Sequence, residues 1–154
     1  MDLVGYLKAE GIWHRFLVKP ATVHTADASA ATGIDLNRIT KNLVSKTSDG
    51  EYALLVVSGT RRANLKRAAE ALGTRNVQLV GFDEAEAISG YPPGGTPSVH
   101  HLTTMRVILD NELLRHDTIF CGGGSRDRLL ELKTKDVIRL ARALLSDISD
   151  EKGQ

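Results

Sequence analysis

Ile39-Thr40-Lys41-Asn42-Leu43-Val44-Ser45-Lys46-Thr47, then Ser48-Asp49-Gly50, then Glu51-Tyr52-Ala53-Leu54-Leu55-Val56-Val57-Ser58: this stretch decides the fold. Residues 39–47 and 51–58 are rich in β-formers and meet at Asp49-Gly50, a dipeptide that tolerates the positive φ angles of a tight hairpin turn. Ala53 to Val57 shows no polar alternation and so prepares no face for water, which places the second strand at the centre of a sheet. In the first strand, a period of two puts Lys41 on the face of Ile39, Leu43 and Ser45, where its ammonium can project into a partly enclosed site. A lysine on an edge strand also serves simply as a guard against aggregation.

Outward from this hairpin, Asp2 is expected to cap a helix through Glu10, followed by a strand over Ile12 to Val18. Thr25 reads as the N-cap of an Ala-rich second helix that Gly33 ends. Ala63 to Leu72 has helical spacing, with Gly73 as its stop, and Val77 to Val80 is a short strand. Asp83, with Glu86 three residues later, marks another helix start, running to about Ser89. Met105 to Leu109, Thr118 to Cys121 and Leu129 to Leu132 read as strands. A last amphipathic helix after Thr134 presents Val137, Ile138, Ala141, Leu144, Leu145 and Ile148 to the core. Helices interleaved with runs of adjacent strands predict an α+β domain rather than a purely alternating parallel sheet.

The length of 154 residues fits one domain, expected over residues 1–150, with 151–154 as a tail. Hydrophobic residues at 42% and charged residues at 25% exclude a disordered, collagenous or disulfide-scaffold class. Cys121 alone cannot form an internal disulfide, and no charged N-terminal segment leads into an apolar run, so a cytoplasmic location is expected. The apolar run Ala53 to Val57 falls far short of the roughly 20 residues of a membrane helix, so no membrane partner is expected. Arg38 to Arg67 holds seven Lys or Arg against Asp49 and Glu51, a local excess of +5. That suits a small anionic partner or one end of a nucleic acid better than extended duplex; a solvated helix face is the plain alternative for Arg61, Arg62, Lys66 and Arg67.

Side chains for the common hydrolytic mechanisms are missing. His14, His24, His100, His101 and His116 lack metal-helix spacing, so no metal or cofactor is expected. No Gly-x-Ser-x-Gly elbow and no Walker loop occur. Cys121, at the end of an apolar strand, reads as a core residue, and His100-His101 as an exposed or structural pair. What remains is backbone chemistry. The loop Gly90-Tyr91-Pro92-Pro93-Gly94-Gly95-Thr96-Pro97 could aim peptide N–H groups at an oxyanion, its prolines limiting its freedom. Gly122-Gly123-Gly124-Ser125 implies a close backbone approach, either to a ligand or to another strand.

In order and spacing, these residues resemble the YbaK/ProX family of aminoacyl-tRNA editing domains, which also occurs as the insertion domain of bacterial prolyl-tRNA synthetases. The landmarks are Thr22 to Ala30 leading to Gly33, Ile39 to Val44, Ser58-Gly59-Thr60-Arg61-Arg62, Gly90 to Gly95, and Gly122 to Ser125. The chain departs from the family's pattern at Ser98, where proline is common, at His100, often glycine, and at Thr60, often acidic. Asn42 beside Lys41 is similar to the alanine-specific branch, whereas the late Gly-rich segment is not.

The resemblance implies a single α+β domain with a mixed, largely antiparallel sheet flanked by helices. It implies a trans-acting deacylase of mischarged tRNA, with Cys- or Ala-tRNA(Pro) as substrate, the tRNA acceptor end as partner, and prolyl-tRNA synthetase as an associated protein. Lys41, Gly94 and Gly95 are then the expected catalytic residues, with a substrate ribose hydroxyl helping to activate water. Thr22, His24, Asn42, Gly59, Tyr91, Thr96, Pro97, Ser98, Gly123, Gly124 and Ser125 are expected to bind substrate, and Arg61, Arg62, Lys66 and Arg67 to attract the tRNA. A non-catalytic module that holds a tRNA end or a nucleotide for a synthetase is the alternative.

Overall fold

The computed structural model describes residues 1–152. In chain order its elements are α1 (Leu3–Ala9), β1 (His14–Val18), α2 (Thr25–Thr32), β2 (Thr40–Thr47), β3 (Tyr52–Ser58), β4 (Arg61–Ala63), α3 (Leu65–Leu72), β5 (Val77–Leu79), α4 (Phe82–Ser89), β6 (Arg106–Asp110), β7 (Thr118–Gly122), β8 (Arg128–Lys133), α5 (Thr134–Ala141), β9 (Leu144–Ser146) and β10 (Ser149–Glu151). Two 3₁₀ turns occur, Leu36–Arg38 between α2 and β2 and Asn111–Arg115 between β6 and β7.

The hairpin forms as its residues dictate, with Gly50 at φ 86 in the turn and Lys41 opposite Val57 in an antiparallel register. It sits inside a five-stranded sheet of order β5-β2-β3-β6-β9, in which β3 pairs parallel with β6 and β6 with β9. A second sheet, β1-β8-β7, is antiparallel, and β10 pairs with β4. The whole is a mixed, largely antiparallel α+β domain.

The uniform apolarity of β3 follows from cover on both faces. Leu54 and Val56 pack with Ile119, Leu130 and Leu132 of the smaller sheet, while Ala53, Leu55 and Val57 meet Ala68, Ala69 and Leu72 of α3. Each fully buried leucine here contributes roughly 2 to 3 kcal/mol by leaving water. A third cluster, Ala28, Ile39, Phe120 and Leu129, seats α2 against β7 and β8. This fixes the start of α2 beside β2.

Several boundaries differ from the pattern-based expectation. His24, not Thr25, is the N-cap of α2, and its side chain makes no capping bond. Ala63 belongs to β4, because its backbone pairs with Ser149, and Asn64 caps α3 by accepting from the Arg67 N–H. Gly81 caps α4, leaving Asp83 and Glu84 in the first turn, where their charges favour the helix dipole. The first strand starts at His14, after Gly11 turns left-handed at φ 65.

The largest correction concerns the last helix. It ends at Ala141, since Arg142 turns left-handed at φ 48 and the Ala143 N–H closes back on the Ile138 carbonyl. Leu144 and Leu145 therefore lie in β9 and are 41% exposed, while Ile148 is fully buried. The expected tail at 151–154 begins within β10, and residues 153 and 154 lie outside the described residues.

β10 is held by Asp110. This fully buried carboxylate accepts from the Ile148 N–H at 2.8 Å and the Ser149 hydroxyl at 2.7 Å. Asp110→Ala strands both donors, so unfolding stability should fall by roughly 2 to 4 kcal/mol. A urea midpoint shift at unchanged slope checks this.

Candidate functional site

β5 covers β2 at Ser45 to Thr47, the Val80 N–H reaches the Val44 carbonyl, and the Thr40 hydroxyl donates to the Phe120 carbonyl of β7, so the edge of β2 is left open along its side from Lys41 to Leu43. A cavity of about 530 Å³ lies along that edge. Thr22, Val23 and His24 line it from the segment entering α2, Pro93, Gly94 and Thr96 from the proline-glycine loop, and Leu79, Val80, Phe82 and Ala85 from β5 and α4. Lys41 and Lys152 add two ammonium groups. Thr25 and Ala26, the first residues of α2, also border the cavity, so a helix start with its unpaired amides contributes partial positive charge.

Lys41 is half-buried and donates to the Arg61 carbonyl at 2.7 Å. Burial, followed by the neighbouring Lys152 and then Arg62, pushes its ammonium down to about 8 from the usual 10.5. Asn42 points to the opposite sheet face. Its Oδ1 accepts from the Ser98 hydroxyl at 2.5 Å, and its Nδ2 donates to Thr40 Oγ1 at 2.9 Å.

The glycines of the two loops serve each other first. Gly94 adopts φ 85, and a Cβ on it would lie 2.5 Å from the Thr22 carbonyl oxygen and 2.7 Å from the Val23 Cα. A Cβ on Gly95 would strike the Ser125 backbone at 2.9 Å, and one on Gly122 the Gly95 carbonyl carbon at 2.4 Å. Thr96 O accepts from the Gly122 N–H at 3.1 Å, and Gly95 O from the Gly124 N–H at 2.8 Å. The close approach expected of the Gly122 segment is thus to the other loop. The Gly95 N–H is bound to the Pro92 carbonyl at 2.8 Å and is not a free donor, a correction to its expected catalytic part. The Gly94 and Thr96 N–H groups make no hydrogen bond among the described residues, and both residues line the cavity.

Of the expected substrate-binding residues, Thr22, His24, Asn42 and Thr96 join Lys41 and Gly94 at the cavity. The others stand behind it. Tyr91 is a core residue, its hydroxyl donating to the His100 carbonyl at 2.7 Å and its ionisation pushed up to about 12 by burial. Ser98 is fully buried beneath Asn42, and the Pro97 carbonyl contacts the His101 ring at 2.8 Å. Gly59 lets the chain pass Leu36, whose carbonyl oxygen would lie 2.8 Å from a Cβ there. Gly123 is bound to Arg128, Gly124 to Gly95, and Ser125 donates to Asp127 at 2.6 Å. Tyr91→Phe should therefore cost about 1 kcal/mol of stability and leave activity unchanged, as paired thermal melts and rate assays would record.

The expected tRNA-attracting residues divide. Arg62 and Lys66 are exposed. Arg61 donates to Ser149 at 2.6 Å, and Arg67 is paired with Asp147 and Asp150. Cys121 is fully buried, its thiol pushed up to about 11, as befits a core residue. His100 stacks on Tyr6 at 4.2 Å and holds φ 63, in the left-handed region that favours glycine. No cluster of three metal-binding side chains occurs among the described residues, and among them no helix is long and apolar enough to cross a membrane.

Two lysines escaped the sequence reading. Lys19 is buried and donates to Thr22 Oγ1 at 2.7 Å and to the Arg126 carbonyl at 2.5 Å, stapling the Thr22 segment to the second glycine loop. Only its place before Pro20 marked the chain there as a turn. Lys152 reaches the cavity because β10 pairs with β4, which no local pattern announces.

Comparison with known proteins now bears on this geometry. A family model described as the aminoacyl-tRNA editing domain matches residues 19–140. The multifunctional Ser/Thr-tRNA deacylase ProXp-y of Escherichia coli K12 is 25% identical over 144 residues, covering 91% of this chain and 86% of that protein. The proline–tRNA ligase of Staphylococcus saprophyticus is 31% identical over 107 residues, covering 68% of this chain and 18% of the ligase. The crystal structure of hypothetical protein APE2540 superposes with a TM-score of 0.90 at 28% identity, covering 97% of this chain and all of the other (100%).

Proposed function

The chain belongs to the aminoacyl-tRNA editing domain family, and from that premise we propose that it hydrolyses, in trans, the ester joining a wrong amino acid to the terminal adenosine of a tRNA. The observation that carries this reading is the meeting of Lys41 and Gly94 in one cavity along the open edge of β2. An ester needs its carbonyl oxygen stabilised as negative charge develops. The amides of Gly94 and Thr96 are the proposed donors, each worth about 10²- to 10³-fold in rate. Lys41 holds the adenosine's phosphate or ribose as a point charge, which makes attack effectively unimolecular. A ribose hydroxyl of the substrate assists the attacking water, so the protein needs no nucleophile of its own.

A cavity of about 530 Å³ that must also admit part of an adenosine suits a small amino acid. Synthetase pockets reject a smaller side chain by only about 1 to 3 kcal/mol per missing methylene, which is the error such a site removes. Cys or Ala on proline tRNA are the proposed substrates, and the similarity to a proline–tRNA ligase supports that tRNA and a prolyl-tRNA synthetase as partner. The relative named for Ser- and Thr-tRNA makes those the next to assay. Purified protein should release free amino acid from at least one of Cys-, Ala-, Ser- and Thr-tRNA; a panel left fully charged would sink the reading.

The ammonium of Lys41 implies a pH dependence. It is protonated below about 8, so kcat/KM corrected for spontaneous hydrolysis should decline as pH rises through that value. Lys152→Ala removes a neighbouring positive charge and should move this limb to higher pH.

A further inference from the structure

A second cavity, of about 370 Å³, adjoins the first, and Lys152 borders both. Its wall is polar, with Asn37, Thr60, Arg115 and His116, and the carboxylates of Glu112 and Glu151. Arg115 donates to Glu112 at 3.1 Å from an exposed position, so its guanidinium keeps free N–H groups at the rim. Lys152 and Lys41 both line the first cavity, and neither is paired with a carboxylate among the described residues. Two ammonium groups on the wall of one cavity, one of them also bordering the second, favour an anion there.

We propose that the second cavity is a subsite for the nucleotide preceding the terminal adenosine, with the phosphodiester that joins the two lying at Lys152. The inference rests on the deacylase reading and deepens it. A chain leaving the first cavity past Lys152 carries one negative charge at each step, as a nucleic acid strand does. Arg115 meets the next phosphate, and Asn37 and Thr60 offer hydrogen bonds to a ribose. Glu112 and Glu151 are acceptors, which suits the exocyclic amine of a cytosine, the base that precedes the terminal adenosine in tRNA. The Asp110 anchor and the pairing of β10 with β4 hold Lys152 at this junction.

The test compares a mischarged tRNA with the aminoacyl-adenosine released from it by ribonuclease cleavage after the preceding cytidine. Arg115→Ala should lower kcat/KM on the whole tRNA about five- to tenfold, mainly through KM, and leave aminoacyl-adenosine hydrolysis unchanged. Lys152→Ala should lose more on tRNA than on aminoacyl-adenosine and reduce the salt dependence by about 0.7 in log–log slope, with Lys152→Arg restoring both. Equal losses on the two substrates, or none on either, would overturn the subsite while leaving the deacylase reading standing. Wild-type protein that cleaves neither substrate would instead overturn the deacylase reading, and the subsite with it.

Discussion

Lys41→Met should lower kcat/KM on a mischarged tRNA by about 10²-fold while the protein stays folded. The side chain touches little that depends on it, since its bond to the Arg61 carbonyl can pass to water at a half-buried position. Folding should even gain. The ammonium's value of about 8 lies below that of an unfolded lysine, so the charged form is penalised in the native state below pH 8. That penalty fades as pH rises from about 8 through the unfolded lysine value, and Lys41→Met should exceed the wild type in melting temperature at pH 7 but not at pH 11. Loss of hydrolysis with a maintained melting temperature would also exclude the purely binding module, which predicts no turnover to lose. Wild-type rates from the Met variant would remove Lys41 from the site.

Gly94→Ala carries the second large effect, and it acts through geometry. The position has φ 85, which costs an L-residue roughly 1 to 2 kcal/mol, and the new methyl would meet two backbone atoms of Thr22 and Val23 inside contact distance. Neither neighbour is a flexible side-chain end, so the loop must move away from the Thr22 segment. A displacement near 1 Å of the amides that border the cavity is enough to cost about 10²-fold in rate. Binding of uncharged tRNA should change far less than kcat, because phosphate contacts lie elsewhere. Gly94→Ala with undiminished kcat would show that this loop does not orient the reacting carbonyl.

The hairpin, the central place of β3 and the stops at Gly33 and Gly73 were legible because each depends on local chemistry: a turn dipeptide, an unbroken apolar run, a residue that accepts a left-handed φ. The C-terminal region was not. Leu144, Leu145 and Ile148 continue the spacing of α5, and the turn at Arg142 uses a residue with no preference for that conformation. At the site, Lys41 stood out as a charge in an apolar strand, and Gly94 by its neighbours in sequence. Tyr91, Ser98 and Gly59 share those landmarks yet pack behind the cavity, because a motif records both the groups facing a ligand and the groups supporting them. Lys152 carries no local signal, since its position comes from strand pairing between residues far apart in the chain.

The interlocked loops bear on how mutational scans of this molecule should be interpreted. A Cβ would meet the Ser125 main chain at Gly95, and the Leu36 side chain with the Leu36 and Ile39 carbonyl oxygens at Gly59, all within 3.0 Å, and neither glycine belongs to the cavity wall. A saturation library selected for activity would reject nearly every replacement at both, with the same profile as a residue that handles substrate. Intolerance at these glycines reports steric exclusion. Telling it from chemistry takes an abundance measurement beside the activity score: steric positions lose soluble protein and turnover together, whereas Lys41 should lose turnover alone.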